Sequence, residues 1–309
     1  MKDVVLLTYG EPPTADFGRQ FDYSRRILDG LTRLVAPIPA WLVPALAARR
    51  GVLRTLGWRA EGFRSPLEEI THVQARGLAE ALARCAPEQP WRVHVAYEFR
   101  DPTLRDVLAG CDDGALVLPM YAAESEFTHD LARRTVHGLN GTRRGARVLP
   151  ALSAQTLAGI SAAHITRELD RRGIAGGPDW TLVLAAHGTL LDPGRPMNTG
   201  REATEAIACG IARRLEDRFG LIVPAWLNHA LGGKWTQPAA DVALRALAER
   251  GRRRIVYFPY GFLADNAESM LEGRILLRAE RRLEQVVHLP CLNADPGLLG
   301  ALADSIAAF

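Results

Sequence analysis

The sequence predicts an α/β fold of two similar lobes, each built around an open parallel sheet. Short β-branched runs alternate along the chain with longer segments of helical periodicity, which is typical of parallel βαβ units. Strand motifs in the first half resemble motifs in the second half, which indicates an internal repeat. A chain of 309 residues is also long enough to form two domains.

Six short apolar runs are predicted to be strands. Each is bounded by turn residues or by a segment of helical periodicity, as expected of strands in parallel sheets. The six runs are Asp3–Tyr9, Trp91–Tyr97, Ala115–Tyr121, Thr181–His187, Leu221–Trp226 and Arg254–Tyr260.

Three helices have recognisable ends. The segment SPLE (65–68) has the order N-cap, N1 proline and capping-box glutamate, and it opens a helix that reaches about Arg84. The other two helices end before a glycine, the residue that most easily adopts the left-handed conformation after a helix. They are Thr204–Phe219 before Gly220 and Pro238–Arg250 before Gly251.

The internal repeat is carried by two pairs of motifs. VVLLTYG (4–10) matches LVLAAHG (182–188), and LVLPMY (116–121) matches VYFPYG (256–261). Because ligands of open α/β sheets bind at the carboxyl ends of the strands, the side chains that end these motifs should face one cleft. They are Tyr9, Tyr121, His187 and Tyr260.

The first lobe carries an insertion, since its two motifs lie about 39 residues further apart than those of the second lobe. We place the insertion within 27–64. Its segment 31–59 contains no acid, is wholly apolar over 34–48 and is interrupted by Pro37, Pro39 and Pro44. A lid over an apolar ligand, a core-covering helix pair and an interfacial membrane contact all fit this composition.

Composition excludes several classes of protein. Hydrophobic residues form 48% of the chain, which argues against disorder, and no apolar run approaches the roughly 18 residues of a membrane span. The formal net charge of +3 is small for a nucleic-acid binder, and the N-terminal apolar run is too short for a signal peptide. The cysteines form no C-x-x-C pair, so no zinc ribbon or disulfide framework is predicted and a reducing cytoplasm is expected: Cys85, Cys111, Cys209 and Cys291.

His187 and Glu268 carry the strongest chemical signal. A histidine directly after a buried strand can be a general base or a metal ligand, although a strand-end histidine bonded to a backbone carbonyl is at least as common. Asp265 and Glu268 have the spacing of a capping box, which needs no function. Glu272 lies one turn further on the same face, and like charges at this spacing destabilise a surface helix. Paired acids here therefore favour a cation site or a proton path.

Several motifs together resemble the ferrochelatases, enzymes that insert ferrous iron into a porphyrin. LLTYGEP (6–12) resembles the opening strand motif of that family, RSPLEEIT (64–71) its Ser-Pro helix start and AAHG (185–188) its catalytic-histidine motif. YFPYGFLADNAE (257–268) is similar to its signature of phenylalanine, aspartate and glutamate, and PCLNADPGLLGALAD (290–304) is similar to its C-terminal segment. The resemblance covers nearly the whole chain.

The resemblance implies roles for individual residues. His187 and Glu268 correspond to the catalytic pair and are also the expected metal ligands. Tyr9 is expected near the porphyrin centre, and it favours coproporphyrin III over protoporphyrin IX without deciding between them. No cofactor is expected, because Fe²⁺ is itself a substrate that binds transiently. The residues expected to bind the porphyrin are Tyr9, Arg26, Ser65, Tyr121 and Trp235.

The resemblance also implies an organisation and partners. Two Rossmann-like, chelatase-type lobes are expected, each a parallel four-stranded sheet flanked by helices. The first occupies 1–150 with the inserted lip at 27–64, the second occupies 151–290, and a C-terminal helix occupies 291–309. The expected partners are a porphyrin and ferrous iron in haem biosynthesis, with no nucleic acid. A cytoplasmic monomer is expected, and peripheral contact with the inner face of the membrane is left open.

Some positions depart from the family pattern, and they surround the expected pocket. Glu11 replaces a threonine, Phe63 and Arg64 replace a pair of glycines, AAES (122–125) replaces an aromatic-containing stretch and Lys234 replaces a proline. These departures bear on the side chains of the tetrapyrrole and leave the reaction class unchanged.

Three alternatives remain at this point. A carrier could bind porphyrin or haem without catalysis, and a related chelatase could act on another tetrapyrrole or metal. A phosphatase-type hydrolase would need an arginine beside His187, where Ala186 stands.

Overall fold

The computed structural model describes residues 1–35, 38–139, 145–228 and 233–309, without the side chains of 31–33 and 35. The chain divides into two compact units. Unit 1 comprises Met1–Met120, Phe127–Pro150 and Ile306–Phe309, and unit 2 comprises Tyr121–Glu126 and Ala151–Ser305.

Unit 1 contains a four-stranded sheet whose strands are β1 (Lys2–Thr8), β2 (Trp91–Tyr97), β3 (Leu116–Pro119) and β4 (Arg147–Val148). All pairs are parallel, and the strand order is β2-β1-β3-β4. Residues 3–8 of β1 are all buried, as expected for a central strand whose two faces are both covered.

The helices of unit 1 surround this sheet. Buried side chains of β1 and β3, including Val5, Leu7 and Val117, share one apolar cluster with Leu104 and Val136 from two of the helices. This cluster holds the sheet against one of its helical layers. The helices are α1 (Phe17–Val35), α2 (Val43–Ala60), α3 (Leu67–Cys85), α4 (Leu104–Ala109) and α5 (His129–Leu139).

Unit 2 repeats the same sheet with the strands β5 (Gly177–His187), β6 (Phe219–Leu227), β7 (Arg254–Phe258) and β8 (Gln285–His288). Its strands are parallel and have the order β6-β5-β7-β8. The helices that follow Pro150 are α6 (Ala154–Arg171), α7 (Arg201–Leu215), α8 (Ala240–Glu249), α9 (Gly273–Ala279) and α10 (Pro296–Ala307), with a 3₁₀ turn at Glu216–Arg218 and a π-helical segment at Ala267–Glu272.

The two units therefore have one topology. Matching isolated bridges strengthen the correspondence, because Tyr97 at the end of β2 pairs with Thr103 just as Trp226 near the end of β6 pairs with Ala239. The predicted fold class, two α/β lobes with parallel four-stranded sheets related by an internal repeat, is confirmed.

Two helix starts differ from their predictions. α3 begins after Pro66, and the N–H of Leu67 donates to Ser65 Oγ at 3.3 Å. Glu68 does not close a capping box there, because its carboxylate accepts a hydrogen bond from Arg100 at 3.0 Å. α8 begins at Ala240 instead of Pro238, and Gly251 after it has the expected positive φ of +73°.

The predicted end of α7 was wrong. The helix stops at Leu215, and Phe219 already belongs to β6. Gly220 is a strand residue beside Pro178, where a Cβ would approach the proline carbonyl oxygen to 1.9 Å. The glycine therefore permits a close strand contact and is not the C-terminal residue of a helix.

The predicted insertion includes α2, which packs along α1. Pro39 precedes α2 and Pro44 lies in its first turn, whereas Pro37 lies outside the described residues. One face of α2 is buried, in agreement with the core-covering interpretation: Val43, Ala47, Gly51, Thr55 and Trp58. Leu53 and Leu56 point the other way and are exposed, as is Trp41 before the helix.

No helix in the described ranges has both the length and the apolar character that crossing a membrane would require.

Candidate active site

His187 and Glu268 meet at the carboxyl edge of the sheet of unit 2. His187 is the last residue of β5, and Glu268 lies in the π-helical segment that follows β7. β5 and β7 are neighbours, and β6 lies on the other side of β5, so the strand order reverses beside His187. The carboxyl ends of strands at such a reversal are where open α/β sheets bind ligands.

The two side chains form a short hydrogen bond. His187 Nδ1 lies 2.5 Å from Glu268 Oε1, and the imidazole is 46% exposed while the carboxyl group is 20% exposed. A carboxylate at Nδ1 fixes the orientation of the ring and stabilises its protonated form. When the ring is neutral and donates from Nδ1, Nε2 carries the lone pair that can accept a proton or bind a metal ion.

The local cap leaves the Glu268 side chain available for this contact. Asn266 is the N-cap of the π-helical segment, and its Oδ1 accepts hydrogen bonds from the N–H groups of Glu268 and Ser269 at 2.8 and 3.1 Å. Ser269 Oγ in turn accepts from the N–H of Asn266 at 2.9 Å. The predicted capping box of Asp265 and Glu268 is therefore wrong, because Asn266 and Ser269 form it one residue further along.

Asp265 has a structural role instead. Its buried carboxylate accepts from the N–H of Cys291 and from Nδ2 of Asn293, each at 2.8 Å, and its own N–H donates to Asn293 Oδ1 at 2.8 Å. These bonds fasten the C-terminal motif PCLNADP (290–296) to the start of the π-helical segment. Asp265 thus anchors the start of the segment that carries Glu268.

Glu272 lies at the exposed end of the same segment. Burial and the negative charges of Glu268 and Glu272 raise the pKa of Tyr257, which lies beneath both acids. The Tyr257 ring meets the His288 ring edge to face, with centroids 5.1 Å apart, and burial lowers the pKa of His288. Tyr257 is therefore held in its neutral form, and the His288 ring that it contacts is only partly exposed.

A second chain segment is paired with the loop after His187. The N–H of Thr189 donates to Thr236 Oγ1 at 3.1 Å, the N–H of Thr236 donates to the Thr189 carbonyl at 3.0 Å, and Leu190 bridges Trp235. A Cβ at Gly188 would lie 2.0 Å from Asn228 Oδ1, which explains the glycine after the histidine. Trp235 is thereby tied to the His187 loop, through hydrogen-bonding residues that sequence analysis did not single out.

Tyr9 lies at the corresponding edge of the sheet of unit 1. It follows β1, stacks on Phe99 with ring centroids 5.5 Å apart, and donates from its hydroxyl to the carbonyl of Phe127 at 3.2 Å. Tyr23 completes this aromatic cluster from α1. The half-buried Tyr9 ring is thus held by aromatic neighbours at a strand end.

The other predicted substrate-binding residues have varied surroundings. Arg26 on α1 forms two hydrogen bonds with Asp101, at 2.8 and 2.9 Å, and this pairing raises the pKa of Arg26. Ser65 is buried before α3, and Tyr121 is a half-buried residue of unit 2. Tyr260 is only 3% exposed, so the expectation that it faces an open cleft was wrong.

Two of the residues that depart from the family pattern, Glu11 and Phe63, hold the insertion in place. The buried Glu11 accepts a hydrogen bond from Arg54 of α2 at 3.1 Å. Arg54 also donates to Gln20 at 2.8 Å and lies 4.9 Å from the centroid of the Trp58 ring. Phe63 packs edge to face on the same ring at 4.9 Å. Nothing in the structure explains Arg64, and Lys234 is exposed.

Among the described residues, one group of three side chains brings metal-ligating atoms within 4.8 Å of one another: Asp3, His94 and Cys111. It lies at the amino end of the unit 1 sheet. The Asp3 carboxylate already accepts two hydrogen bonds from Arg92, one from His94 and one from the N–H of Asp112. A cation would have to displace the guanidinium, so these residues form a structural ion-pair network.

Comparison with known proteins identifies the family. A model of the ferrochelatase family matches residues 2–308. The chain belongs to the ferrochelatase family. The resemblance read from the motifs is thereby confirmed, and the protein is an enzyme that inserts a metal ion into a tetrapyrrole.

Ferrochelatases of distant organisms are similar along the whole chain. The mitochondrial ferrochelatase of Bos taurus is 23% identical over 321 residues, which cover 98% of this chain and 76% of the relative. The ferrochelatase of Phenylobacterium zucineum is 26% identical over 314 residues, which cover 98% of this chain and 89% of the relative.

Solved structures of chelatases share the fold. CbiX, described as the terminal enzyme of sirohaem biosynthesis in denitrifying bacteria, has a TM-score of 0.57 at 20% identity over 100% of this chain and 99% of that one. SirB from Bacillus subtilis with Fe³⁺ has a TM-score of 0.55 at 12% identity over 99% and 95% of the two chains. The chelatase-type fold is therefore confirmed.

Proposed function

We propose that this ferrochelatase-family enzyme inserts Fe²⁺ into a porphyrin and releases two protons, with His187 and Glu268 as the reacting pair. The observation that carries the proposal is the 2.5 Å contact between their side chains at the carboxyl edge of the unit 2 sheet. Of the described acids and histidines at this edge, only these two combine a basic ring nitrogen with a directly bonded carboxyl group on partly exposed side chains.

The reaction requires the porphyrin to lose two pyrrole protons and the metal ion to lose its water. Neutral His187 accepts a pyrrole proton at Nε2, and Glu268 stabilises the imidazolium through the bond at Nδ1. Each turnover forms metal–nitrogen bonds in place of two N–H bonds, and both protons leave for solvent. Glu272, exposed at the end of the π-helical segment, extends the acidic surface along which they leave.

The same pair is proposed to hold the incoming ion before His187 takes up a proton, and Nε2 is free to accept the proton once the ion has moved to the macrocycle. An imidazole nitrogen and a carboxylate oxygen form a ligand set that suits Fe²⁺ and other divalent first-row metals. No nucleotide or redox cofactor enters this scheme, because the metal keeps its oxidation state.

The porphyrin is proposed to be coproporphyrin III, with protoporphyrin IX as the competing substrate. At the strand ends of unit 1, the half-buried Tyr9 ring is backed by the buried Phe99 ring, and a partly exposed aromatic ring suits a flat apolar macrocycle. Arg26 can offer a bidentate guanidinium to a carboxylate of the ligand if that carboxylate shares or replaces Asp101.

Assays with purified full-length protein test this proposal. Fe²⁺ is supplied without oxygen, together with coproporphyrin III, protoporphyrin IX or sirohydrochlorin in separate reactions, and the absorption spectrum of the metallated product is followed. Turnover with a porphyrin is the expected result. Tight porphyrin binding without turnover would establish the carrier instead, and turnover with sirohydrochlorin alone would establish a different chelatase.

Peripheral membrane contact is proposed through the exposed face of α2. Leu53 and Leu56 are 57% and 59% exposed, Trp41 is 78% exposed, and residues 31–59 include no acid. Apolar side chains with arginines and without acids suit the surface of an anionic bilayer. Sedimentation with phosphatidylglycerol vesicles should pull down the parent and leave the Leu53→Ser/Leu56→Ser variant in solution, and equal sedimentation would contradict the contact.

We also propose that the protein is a monomer located in the cytoplasm. Sedimentation velocity on the purified chain and fractionation of the producing cell are the direct measurements. A dimer or a tightly membrane-bound pool would overturn them.

A further inference from the structure

Glu98 is a carboxyl group that the proposed reaction has not used, and it lies beside Tyr9. It directly follows β2, and its N–H donates to the carbonyl of Thr8 at 2.9 Å. The next N–H, that of Phe99, donates to the carbonyl of Tyr9 at 3.2 Å, and the Phe99 ring stacks on the Tyr9 ring. These contacts fix Glu98 at the carboxyl edge of the unit 1 sheet, the edge where open α/β sheets bind ligands.

The Glu98 side chain is partly buried, and its Oε1 has no hydrogen-bond partner in the part of the chain that the structure describes. Leaving a buried polar atom unsatisfied is costly, so folded proteins rarely do it without a use for the group. Because none of the described residues supplies that partner, Glu98 is available to bind a group of the ligand.

Several other carboxylates of unit 1 differ from Glu98 in being bonded to an arginine. Each of four is bonded to an arginine: Asp3 to Arg92, Glu11 to Arg54, Glu68 to Arg100 and Asp101 to Arg26. Within the described ranges, no arginine is bonded to Glu98. The charged group that acts on it is Arg134 of α5, which opposes the ionisation cost only from a distance.

Burial raises the pKa of Glu98 to about 8, and the positive charge of Arg134 opposes this shift. The two other titratable side chains near it along the strand ends are already engaged, since the hydroxyl of Tyr9 donates to Phe127 and Arg100, two residues further on, is bonded to Glu68. At neutral pH Glu98 is mainly the uncharged acid, which offers one O–H donor.

We propose that Glu98 is a substrate-binding residue that donates its carboxylic-acid hydrogen to a carboxylate of the tetrapyrrole. The inference rests on the proposed function, since it requires a carboxylate-bearing macrocycle at this edge. A hydrogen bond from a neutral acid to a carboxylate is charge-assisted, whereas an ionised glutamate would repel the same ligand. One carboxyl group without further ligands beside it does not suit a metal ion, which argues for the organic substrate as its partner.

Fluorescence quenching with coproporphyrin III between pH 6.5 and 9.5 tests the proposal on the full-length protein, with thermal melts to verify folding. The parent should lose affinity as the pH rises through about 8, because the acid ionises and its charge repels the ligand. Glu98→Gln keeps a neutral donor and should bind at neutral pH within a few-fold of the parent, without the loss above pH 8. Glu98→Ala should bind about tenfold more weakly at every pH.

Glu80→Gln is the matched control, since Glu80 is an exposed acid on α3 of the same unit, and it should reproduce the pH profile of the parent. Parent-like affinity of Glu98→Ala at pH 7, or one shared pH profile for the parent and Glu98→Gln, would overturn the inference. These outcomes leave metal insertion by the parent intact. Failure of the proposed function would instead appear as a parent that inserts metal into neither porphyrin.

Discussion

Asp265 and Glu268 lie three residues apart in the chain, but one has a structural role and the other a chemical role. Asp265 is buried and bonded to backbone and amide donors of the C-terminal motif. Glu268 reaches His187. Sequence analysis found His187 and Glu268 from their place after predicted strands. It assigned the cap to Asp265 instead of Asn266, because the bonds that engage Asp265 come from residues 26 and 28 positions away.

Exchanging each acid for its amide should separate the two roles. Glu268→Gln should lower turnover by two or more orders of magnitude and shift the melting temperature little, since the cap is made by Asn266 and Ser269. Asp265→Asn replaces one acceptor oxygen with an amide NH2 group that faces an N–H donor, so we expect a loss of about 2–4 kcal/mol in the free energy of unfolding. Denaturant melts and steady-state assays on both variants measure these effects. A Glu268→Gln variant that unfolds early but turns over normally would contradict the assignment.

At the scale of single elements, α2 was the hardest to predict. Its prolines correctly indicated a break before it, but its buried and exposed faces could not be distinguished, because apolar side chains occupy both. Contacts with residues outside α2 determine which face is buried. Arg54 donates hydrogen bonds to Glu11 and Gln20, and Phe63 packs on Trp58. A departure from the family pattern at Glu11 thus serves to anchor the helix.

Removing the contact between Arg54 and Glu11 should lower the free energy of unfolding, and a second substitution at Glu11 should restore part of it. Arg54→Ala removes the guanidinium that is bonded to the buried Glu11 carboxylate, so we expect a loss of about 2–4 kcal/mol in the free energy of unfolding. The double variant Glu11→Thr/Arg54→Ala also removes the buried carboxylate and should recover at least half of that loss. Denaturant unfolding of the two variants and the parent provides the comparison. Additive losses in the double variant would show that the pair is not coupled.

At the scale of the whole molecule, the alternation of strands and helices and the paired motifs were sufficient to predict both lobes and their repeat. They were not sufficient to find β4, which has two residues, or β8, which has four. Such short edge strands carry almost no periodic signal, and the neighbouring strand defines them. The ion-pair network that joins β1 and β2 at Asp3 could not be predicted from the sequence either, because Arg92 and His94 contact Asp3 only after the two strands pair.

This network predicts how stability depends on pH. Burial alone would raise the pKa of Asp3, but hydrogen bonds from Arg92, His94 and the N–H of Asp112 outweigh it and lower the pKa to about 2. The folded-state pKa lies below the unfolded value of 3.8, so the stabilisation is complete above that value and is lost as the pH falls towards 2. It amounts to about 2 kcal/mol. Unfolding free energies between pH 7 and pH 2 should fall less steeply for Asp3→Asn than for the parent, and parallel curves would refute the assignment.

A single-turnover measurement on His187→Ala tests most directly whether His187 takes protons from the tetrapyrrole with the support of Glu268. Porphyrin is bound first, its affinity is recorded by fluorescence quenching, and Fe²⁺ is then mixed in without oxygen while the absorption spectrum is followed. We expect a porphyrin affinity within a few-fold of the parent and an insertion rate at least about 100-fold lower. An insertion rate within a few-fold of the parent, with the variant folded and porphyrin bound, would contradict the catalytic role of His187.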